Sequence, residues 1–442
     1  MSKNFNIAIL GCGTVGSGVA KILLDLDHDL HLRAQKKIVL KKIVDLFPSK
    51  SAQQYQLPLN LFCGGGKDLT KEEASAFTKE ILEDKEIDLV VETIGGTSDY
   101  LFNVMISALK NGKHLVTANK AMLAERGEEI FNTAIENNVS LGYEASVCGA
   151  IPIIKAIRES FTGDKVLEIS GIMNGTSNYI LSKMKEDGLS FDEALSMAQK
   201  AGYAEADPTL DISGGDAAHK LTILLRLAFG AQVKYDHLYK EGINSLTKDD
   251  LDLANEMNCT LKLICFAKQT NQKIYAAVRP MMVKNENILS KVNGATNCVE
   301  ILNQYSGKHH FVGKGAGSLE TASSIVGDII FAARYDKQIT NIPEEVSFEL
   351  ADADSVVLPY NITFVTEDYP GITGLVTTAI GRQQINIDTV SHNRHTPEKS
   401  KAVFSIATMP CSLSQIKKAI ADIKASAPGI MKEEPKIIPI LN

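Results

Sequence analysis

The chain begins on an apolar run at residues 5–10 that reads as a buried strand. From there to residue 140, short apolar runs alternate with amphipathic stretches of helical spacing. Strands are expected at 5–10, 37–44, 60–63, 87–91, 114–117 and 139–143. Helices are expected after residue 13, from Thr70, and over 99–110 and 123–137. Thr70 and Glu73 have the spacing of a capping box. The polar stretch 25–36 is expected to hold an inserted loop. This alternation predicts a doubly wound parallel sheet over residues 1–140.

Past residue 140 the rhythm changes. A small-residue loop at 144–152 leads into an apolar helix through Ile157. A strand at 165–172 ends in Asn174-Gly175-Thr176, and a helix is expected at 191–201. Asp216 opens another helix, with strands at 273–280 and 309–312. Residues 141–314 therefore predict a mixed α/β substrate domain. Gly313 to Gly317 precede a late helix, so residues of about 315–345 are expected to return to the first domain. Residues 355–442 read strand (358–365), helix (373–382), strand (385–391), polar turn (393–399), strand (401–407), helix (413–426) and strand (436–440). That βαββαβ order is ferredoxin-like.

Composition narrows the classes. In 442 residues, 44% hydrophobic and 22% charged, two or three domains are expected. A net charge of -7 argues against a nucleic-acid or anionic-membrane partner. The seven cysteines lack CxxC spacing and read as free thiols in a reducing compartment, with no zinc or iron–sulfur site. His309-His310 reads as strand surface. No uncharged run has membrane length and the first strand leaves no room for a signal peptide, so a cytoplasmic location is expected.

Gly11-Cys12-Gly13-Thr14-Val15-Gly16 follows the first strand and opens a helix. Gly11 permits the tight turn, Gly13 lets a pyrophosphate approach, and Gly16 lets helix and strand pack closely. Asp45, ending the second strand, is placed to bond an adenosine ribose, while Lys50 and Lys67 are placed for a 2′-phosphate, so NAD and NADP both remain open. Glu92-Thr93-Ile94-Gly95-Gly96 and Lys120 fall at carboxyl ends of strands, where open α/β sheets bind ligands. Gly202 to Lys220 carries four acids, Glu205, Asp207, Asp211 and Asp216, and one lysine. Asp216 and Lys220 share a helical face. An ammonium there can supply the proton that carbonyl reduction needs. The loop 144–152 exposes backbone carbonyls that suit either a monovalent cation or tight packing.

With these motifs in order, residues 5–345 resemble the homoserine dehydrogenases. The Asp-x-Pro-Gly turn at 368–371 and Asn386-Ile387 make the tail similar to an ACT domain. The resemblance implies interconversion of L-aspartate 4-semialdehyde and L-homoserine, in the pathway to threonine, methionine and isoleucine. It gives Lys220, Asp216 and Lys120 the catalytic positions and Glu205, Asp211, Gly175, Thr176 and Tyr203 the substrate. It gives Thr14, Val15, Thr93, Gly95, Lys120, Gly315 and Gly317 to the cofactor beside the glycine fingerprint. Glu144, Val147, Gly149 and Ile151 match a sodium-binding loop. Val44, where many relatives carry arginine, weakens strict NADP preference. The tail implies feedback inhibition by L-threonine at Pro370, Gly371, Ile372 and Asn386, and the family implies a homodimer or homotetramer. Two other readings are a dehydrogenase of another small amino or hydroxy acid, and a non-catalytic nucleotide sensor.

Overall fold

Buried isoleucines, leucines and valines build the central strands of the structure, a computed structural model that describes residues 4–270, 273–335, 348–393 and 401–442. The chain groups into two units. The first holds Met1–Thr176, Gly215–Leu238 and Ala295–Phe348; the second holds Ser177–Gly214, Tyr239–Gly294 and Glu349–Asn442. This grouping differs from an expected domain at 141–314. Residues 215–238 and 295–314 fall with the parallel sheet, and 177–214 and 239–294 fall with the tail.

In the first unit, β1 (Phe5–Leu10), β2 (Ile38–Val44), β3 (Leu89–Glu92), β4 (His114–Thr117) and β5 (Leu141–Gly142) form a parallel sheet. Its order is β2-β1-β3-β4-β5. The order reverses between β1 and β3, and such a reversal opens a crevice at the carboxyl ends of the two strands. Every residue of β1 and β3 is buried, which is why they read as unbroken apolar runs. The helices of this region are α1 (Thr14–Asp25), α2 (Asp27–Ala34), α3 (Pro48–Gln53), α4 (Lys71–Glu83), α5 (Asp99–Lys110), α6 (Lys120–Glu136) and α7 (Ile153–Lys155). Thr70 and Glu73 form the expected capping box on α4.

Three expectations change here. The stretch 25–36 is not a loop: it contains α2, which buries Leu30 and Ala34, carries Asp27 and Asp29 in its first turn and ends on Gln35 at φ 57°. Its polar residues are mostly the helix's exposed side. Residues 60–63 give only a 3-10 turn at Leu59–Leu61 and one parallel bridge, Ile43 to Phe62. The strand at 139–143 shortens to two residues.

α13 (Ser318–Arg334) lies in the same unit. Its Ala322, Ile325, Val326 and Ile329 share one core with Phe5, Ile7, Val19 and Leu23. Residues 336–345 of the expected return lie outside the described residues. β6 (Val166–Ile172), β10 (Thr296–Asn303) and β11 (Gly307–Lys314) pair antiparallel in the order β11-β10-β6. β10 occupies residues read as a connection from sequence, with Cys298, Val299 and Ile301 fully buried. α11 (Gly215–Phe229) packs on α6 and is buried continuously through Leu225.

α8 (Gly175–Glu186) carries the chain into the second unit, followed by α9 (Phe191–Lys200) and α10 (Thr209–Ile212). After β7 (Tyr239–Lys240) and α12 (Lys248–Glu256), β8 (Cys259–Thr270) and β9 (Lys273–Lys284) form a long antiparallel pair. β8 was not anticipated, and β9 is longer than expected. Three short stretches then line β9 in parallel: β12 (Glu349–Leu350) at 273–274, β7 at 277–278 and β18 (Lys436–Leu441) at 282–283.

The tail contains β13 (Val357–Leu358), β14 (Tyr360–Glu367), α14 (Ile372–Arg382), β15 (Ile387–Asn393), β16 (Lys401–Thr408), β17 (Cys411–Ser412) and α15 (Leu413–Ser426). Pro359 splits the strand expected at 358–365, since it offers no N–H to a ladder. β18-β14-β16-β15 is an antiparallel sheet, and among the described residues β13 pairs with β17. Phe364 and Phe404 stack at 5.5 Å and are buried, as are Ile380 of α14 and Ile416 of α15. The turn at 394–399 lies outside the described residues. All seven cysteines are free and buried. Among the described residues, no helix is long and apolar enough to cross a membrane.

A Cβ at Gly16 would sit 2.1 Å from the carbonyl oxygen of Gly11, a backbone atom that cannot move aside cheaply. Gly16→Ala should therefore destabilise the first unit by about 1–3 kcal/mol. A thermal melt should show a midpoint several degrees lower, whereas an unchanged midpoint would mean that α1 shifts freely on β1.

Candidate active site

The glycine loop is held in shape by its neighbours. Gly11 has φ +86°, and a Cβ there would lie 2.8 Å from the Thr93 and Ile94 backbone. Thr93 Oγ1 donates to the Gly11 carbonyl at 2.6 Å, so its hydroxyl braces the turn. Around Gly13 nothing lies within 4 Å of a Cβ position. Gly13 caps α1 without a side chain, and the first turn, with Thr14 and Val15, holds no acid. Amide donors without an acid beside them suit an anion such as a pyrophosphate.

Asp45 is a second brace. Its Oδ2 accepts from Cys12 N at 2.6 Å, and its Oδ1 from Phe47 N at 2.8 Å and Ser51 Oγ at 3.0 Å. The two oxygens of a carboxylate offer about four acceptor sites, so a ribose hydroxyl can still be met there.

Glu92 was read from sequence only as the first residue of a loop motif, with no role of its own, and it braces that loop. It is fully buried at the end of β3 and accepts from Ile94 N, Gly95 N and Thr117 Oγ1, at 2.8, 3.0 and 2.6 Å. Burial raises its pKa against those hydrogen bonds. Gly95 follows at φ +80°. Asn119 caps α6 by accepting from Met122 N, and donates to Gly96 O at 2.8 Å. The loops after β3 and β4 are thereby tied together.

Gly315 leaves no room for a side chain, with Asn297 Nδ2 2.1 Å from the Cβ position. Gly317, at φ +140°, precedes α13. Ser318 Oγ donates to Thr14 O and accepts from Tyr55 at 2.9 Å, bringing the start of α13 onto the glycine loop.

Asp216 gathers the charged centre. It stands in the first turn of α11, where the helix dipole favours an acid. Lys220, one turn on, donates to Asp216 Oδ2 at 2.8 Å and to Met173 O at 2.6 Å. Asn174 Nδ2 reaches the same Oδ2 at 2.8 Å, and Lys120 Nζ lies 3.2 Å from Oδ1. Burial opposes ionisation of Asp216, but the Lys220 and Lys120 ammoniums and these hydrogen bonds hold its carboxyl well below the usual range. The Lys220 side chain is 9% exposed and that of Lys120 39%. Gly175 begins α8 beside Ala295 O, 2.7 Å from a Cβ position, and Thr176 is buried. Met173 was missed because a backbone carbonyl leaves no sequence signal.

Glu205, Asp211 and Tyr203 belong to the second unit. Glu205 is exposed, and its carbonyl accepts from Gln199 Nε2 at 3.2 Å. The Tyr203 ring lies 4.8 Å from Tyr179. Asp211 is half-buried in α10, its carbonyl accepting from Ser177 Oγ at 2.8 Å. In the tail, Gly371 precedes α14 at φ 96° without a side-chain cap. Pro370 is exposed and Ile372 buried. Asn386, exposed and just ahead of β15, accepts from Met409 N at 2.9 Å through its carbonyl.

The loop from Glu144 to Ile151 lies in the first unit, buried except at Ala150. The Glu144 carboxylate accepts from Ile154 N at 2.8 Å and Lys155 N at 2.9 Å, capping α7. The carbonyls of Glu144, Gly149 and Ile151 accept from Val147 N, Ser324 Oγ and Ile153 N. Among the described residues no group of three His, Cys, Asp or Glu side chains is placed to hold a metal.

A family model described as homoserine dehydrogenase matches residues 152–330, and one described as homoserine dehydrogenase, NAD binding domain, matches residues 11–144. The homoserine dehydrogenase of Neisseria gonorrhoeae is 36% identical over 436 residues, 96% of either chain. The chain belongs to the homoserine dehydrogenase family. The crystal structure of a homoserine dehydrogenase from Thiobacillus denitrificans aligns with a TM-score of 0.88 at 32% identity, covering 100% of this chain and 99% of that one. A hyperthermophilic archaeal homoserine dehydrogenase mutant in complex with NADPH aligns with a TM-score of 0.60 at 26% identity. It matches 74% of this chain but 97% of its own. Neither family model extends past residue 330, so the tail lies beyond both.

Burial first, and then the charge of Asp328, push Glu144 up from 4.5 to about 7. The folded protein therefore keeps a proton that the unfolded chain releases between these values. That contribution to stability is full below 4.5 and lost as pH rises through 7. Thermal midpoints across this window should fall less steeply for Glu144→Gln than for the unsubstituted protein. Parallel curves would show that Glu144 titrates as an ordinary carboxyl.

Proposed function

We propose that the chain is an NAD(P)-dependent homoserine dehydrogenase, interconverting L-aspartate 4-semialdehyde and L-homoserine. The observation that carries this reading is the Lys120–Asp216–Lys220 cluster in the same unit as a glycine loop whose shape suits a dinucleotide. When bound, the nicotinamide supplies or takes up the hydride. Lys220 stabilises the substrate oxygen as charge develops and delivers its proton, directly or through one water. Asp216 keeps Lys220 charged and aimed, with Met173 O and Asn174 fixing the arrangement. Lys120 adds positive charge where cofactor and substrate meet. Glu205 pairs with the substrate ammonium, with Asp211, Tyr203, Gly175 and Thr176 around the rest. The intact acid and lysine set favours this over a nucleotide sensor, and the family match favours it over a dehydrogenase of another small acid.

Gly11, Gly13, Thr14, Val15, Gly16, Thr93, Gly95, Gly315 and Gly317 shape the cofactor site, with Asp45 meeting the ribose. Val44 beside Asp45 supports use of both NAD and NADP, and the archaeal relative's complex supports NADPH. A sodium ion would take the carbonyls of Glu144, Val147, Gly149 and Ile151 through their remaining lone pairs, leaving the Glu144 carboxylate on α7. The ferredoxin-like element order supports an ACT domain that binds L-threonine at Pro370, Gly371 and Ile372, with Asn386 beside it. The expected assembly is a homodimer or homotetramer, and the expected location is the cytoplasm.

Lys220→Ala should fold and retain cofactor binding while losing about 10²–10⁴-fold in kcat. Steady-state kinetics with both substrates and cofactor fluorescence titration check this, and near-normal turnover would remove Lys220 from the reaction. For the tail, L-threonine should inhibit the full chain, and Asn386→Ala should weaken that inhibition while the uninhibited kcat stays the same. Absence of both inhibition and calorimetric threonine binding would make the tail structural.

A further inference from the structure

β9 carries a buried arginine that belongs neither to the charged centre nor to the cofactor loop. Arg279 is 6% exposed and lies in a strand whose neighbours Val278, Met281 and Met282 are core residues. Its Nη2 lies 3.0 Å from Glu241 Oε2 and 3.4 Å from the carbonyl oxygen of Ile437. The guanidinium also stands 5.1 Å from the Tyr239 ring, and Tyr239 Oη donates to the same Glu241 oxygen at 3.1 Å. One side chain thus joins β9, the 239–243 segment and the last strand of the tail.

The 239–243 segment in turn holds the acidic turn. Glu241 N donates to Val278 O and Ile243 N donates to Ile212 O, each at 2.8 Å. Gly242 lies so close that a Cβ would sit 2.1 Å from Ile212 O. On the other side of the turn, a Cβ at Gly214 would meet Val278 at 3.1 Å and Glu241 O at 3.5 Å. The turn 209–214, with Asp211 inside it, is therefore pressed onto 239–243, and the chain runs directly from Gly214 into α11. Lys436, next to Ile437, bonds Ser245 O at 3.1 Å and Asp250 Oδ2 at 2.6 Å, a second tie from β18, to the residues that follow the 239–243 segment.

Burying a guanidinium costs several kcal/mol, and a well-packed apolar pair often stabilises as much as a buried ion pair. What the arginine adds here is one nitrogen, Nη2, that meets both acceptors, on a planar guanidinium lying beside the Tyr239 ring. We infer that Arg279 is a positioning residue for the Asp211 turn, and that β18 reaches this turn through it, so that the state of the tail is read as affinity for the amino-acid substrate. The inference rests on Asp211 serving the substrate.

The test is steady-state kinetics on the full chain, with homoserine and cofactor varied separately. Arg279→Lys keeps the charge but is shorter and loses both the Nη2 that meets the two acceptors and the planar group beside the Tyr239 ring. It should raise the homoserine KM about tenfold, the effect of losing one charge-assisted hydrogen bond. Cofactor KM should stay constant and kcat should change little. Glu241→Gln, which retains the shape, should act in the same direction. On the tail side, Lys436→Met should also raise the homoserine KM with Arg279 intact. Asp211→Asn separates the two levels. If it leaves the homoserine KM unchanged, the substrate role fails and this inference falls with it. If it raises the KM while Arg279→Lys and Glu241→Gln do not, the positioning role alone is overturned. An unchanged KM in Lys436→Met overturns the tail link, and parallel rises in both KM values with a lower thermal midpoint mean general loosening. Threonine is absent from every arm, so the result does not depend on whether the tail binds it.

Discussion

An ionised carboxylate withdrawn from water must be compensated on the spot, and Asp216 sets the terms for everything around it. Its countercharges come from two helices, Lys220 on α11 and Lys120 on α6, while Asn174 and Met173 O supply the end of β6. Removing Asp216 would take away the carboxylate that the buried Lys220 ammonium pairs with. The three elements are therefore tied together at Asp216, and the Lys220 amine is held in place. The remaining cost is reduced by the position of Asp216 in the first turn of α11. A lysine held this way suits proton delivery better than a surface lysine, because it loses little freedom when it acts.

The cofactor side is organised by acids of a different kind. Asp45 and Glu92 spend their oxygens largely on backbone amides, of Cys12 and Phe47 in one case and Ile94 and Gly95 in the other. Both lie at the carboxyl ends of parallel strands, on either side of β1. Amides turned inward toward a carboxylate leave a loop with fixed curvature. The glycines are required only where that curvature brings backbone against backbone, at Gly11 and Gly16. Preorganisation of this sort reduces the ordering that a bound dinucleotide would otherwise impose.

Legibility in the sequence followed burial geometry. β1 and α5 stood out because their apolar positions match the period of their structure without interruption. β8 did not, since Lys262 interrupts its apolar run and suggests an exposed position. That lysine is 1% exposed, satisfied by Asn178 Oδ1, Val292 O and Asn293 Oδ1. Burial, aided by Lys185, lowers its pKa to about 7. Such a residue reads as polar until the acceptors, from 84 residues before to 31 after, are in place. α2 failed for the converse reason: a short helix that buries only Leu30 and Ala34 has too little apolar periodicity to be told from a loop. In the site, the four-residue spacing of Asp216 and Lys220 was visible, whereas Glu92 looked like a loop residue and Met173 acts through its main chain.

The tail bears on the same question from the side of mechanics. β18 is the outer strand of the β18-β14-β16-β15 sheet and also pairs in parallel with β9 at Met282 and Val283. A domain hung on a linker can move without straining its neighbour; one whose edge strand is shared cannot. Close-packed interiors yield by switching between discrete arrangements rather than by stretching, so a shift of β18 has to be taken up by β9 or by the short strands along it. β7 is one of these, two residues long and partly exposed, and it leads into the stretch pressed against Ile212. Sheet continuity thus gives the acidic turn a mechanical link to the tail that requires no ligand to exist and only a differential affinity to be used.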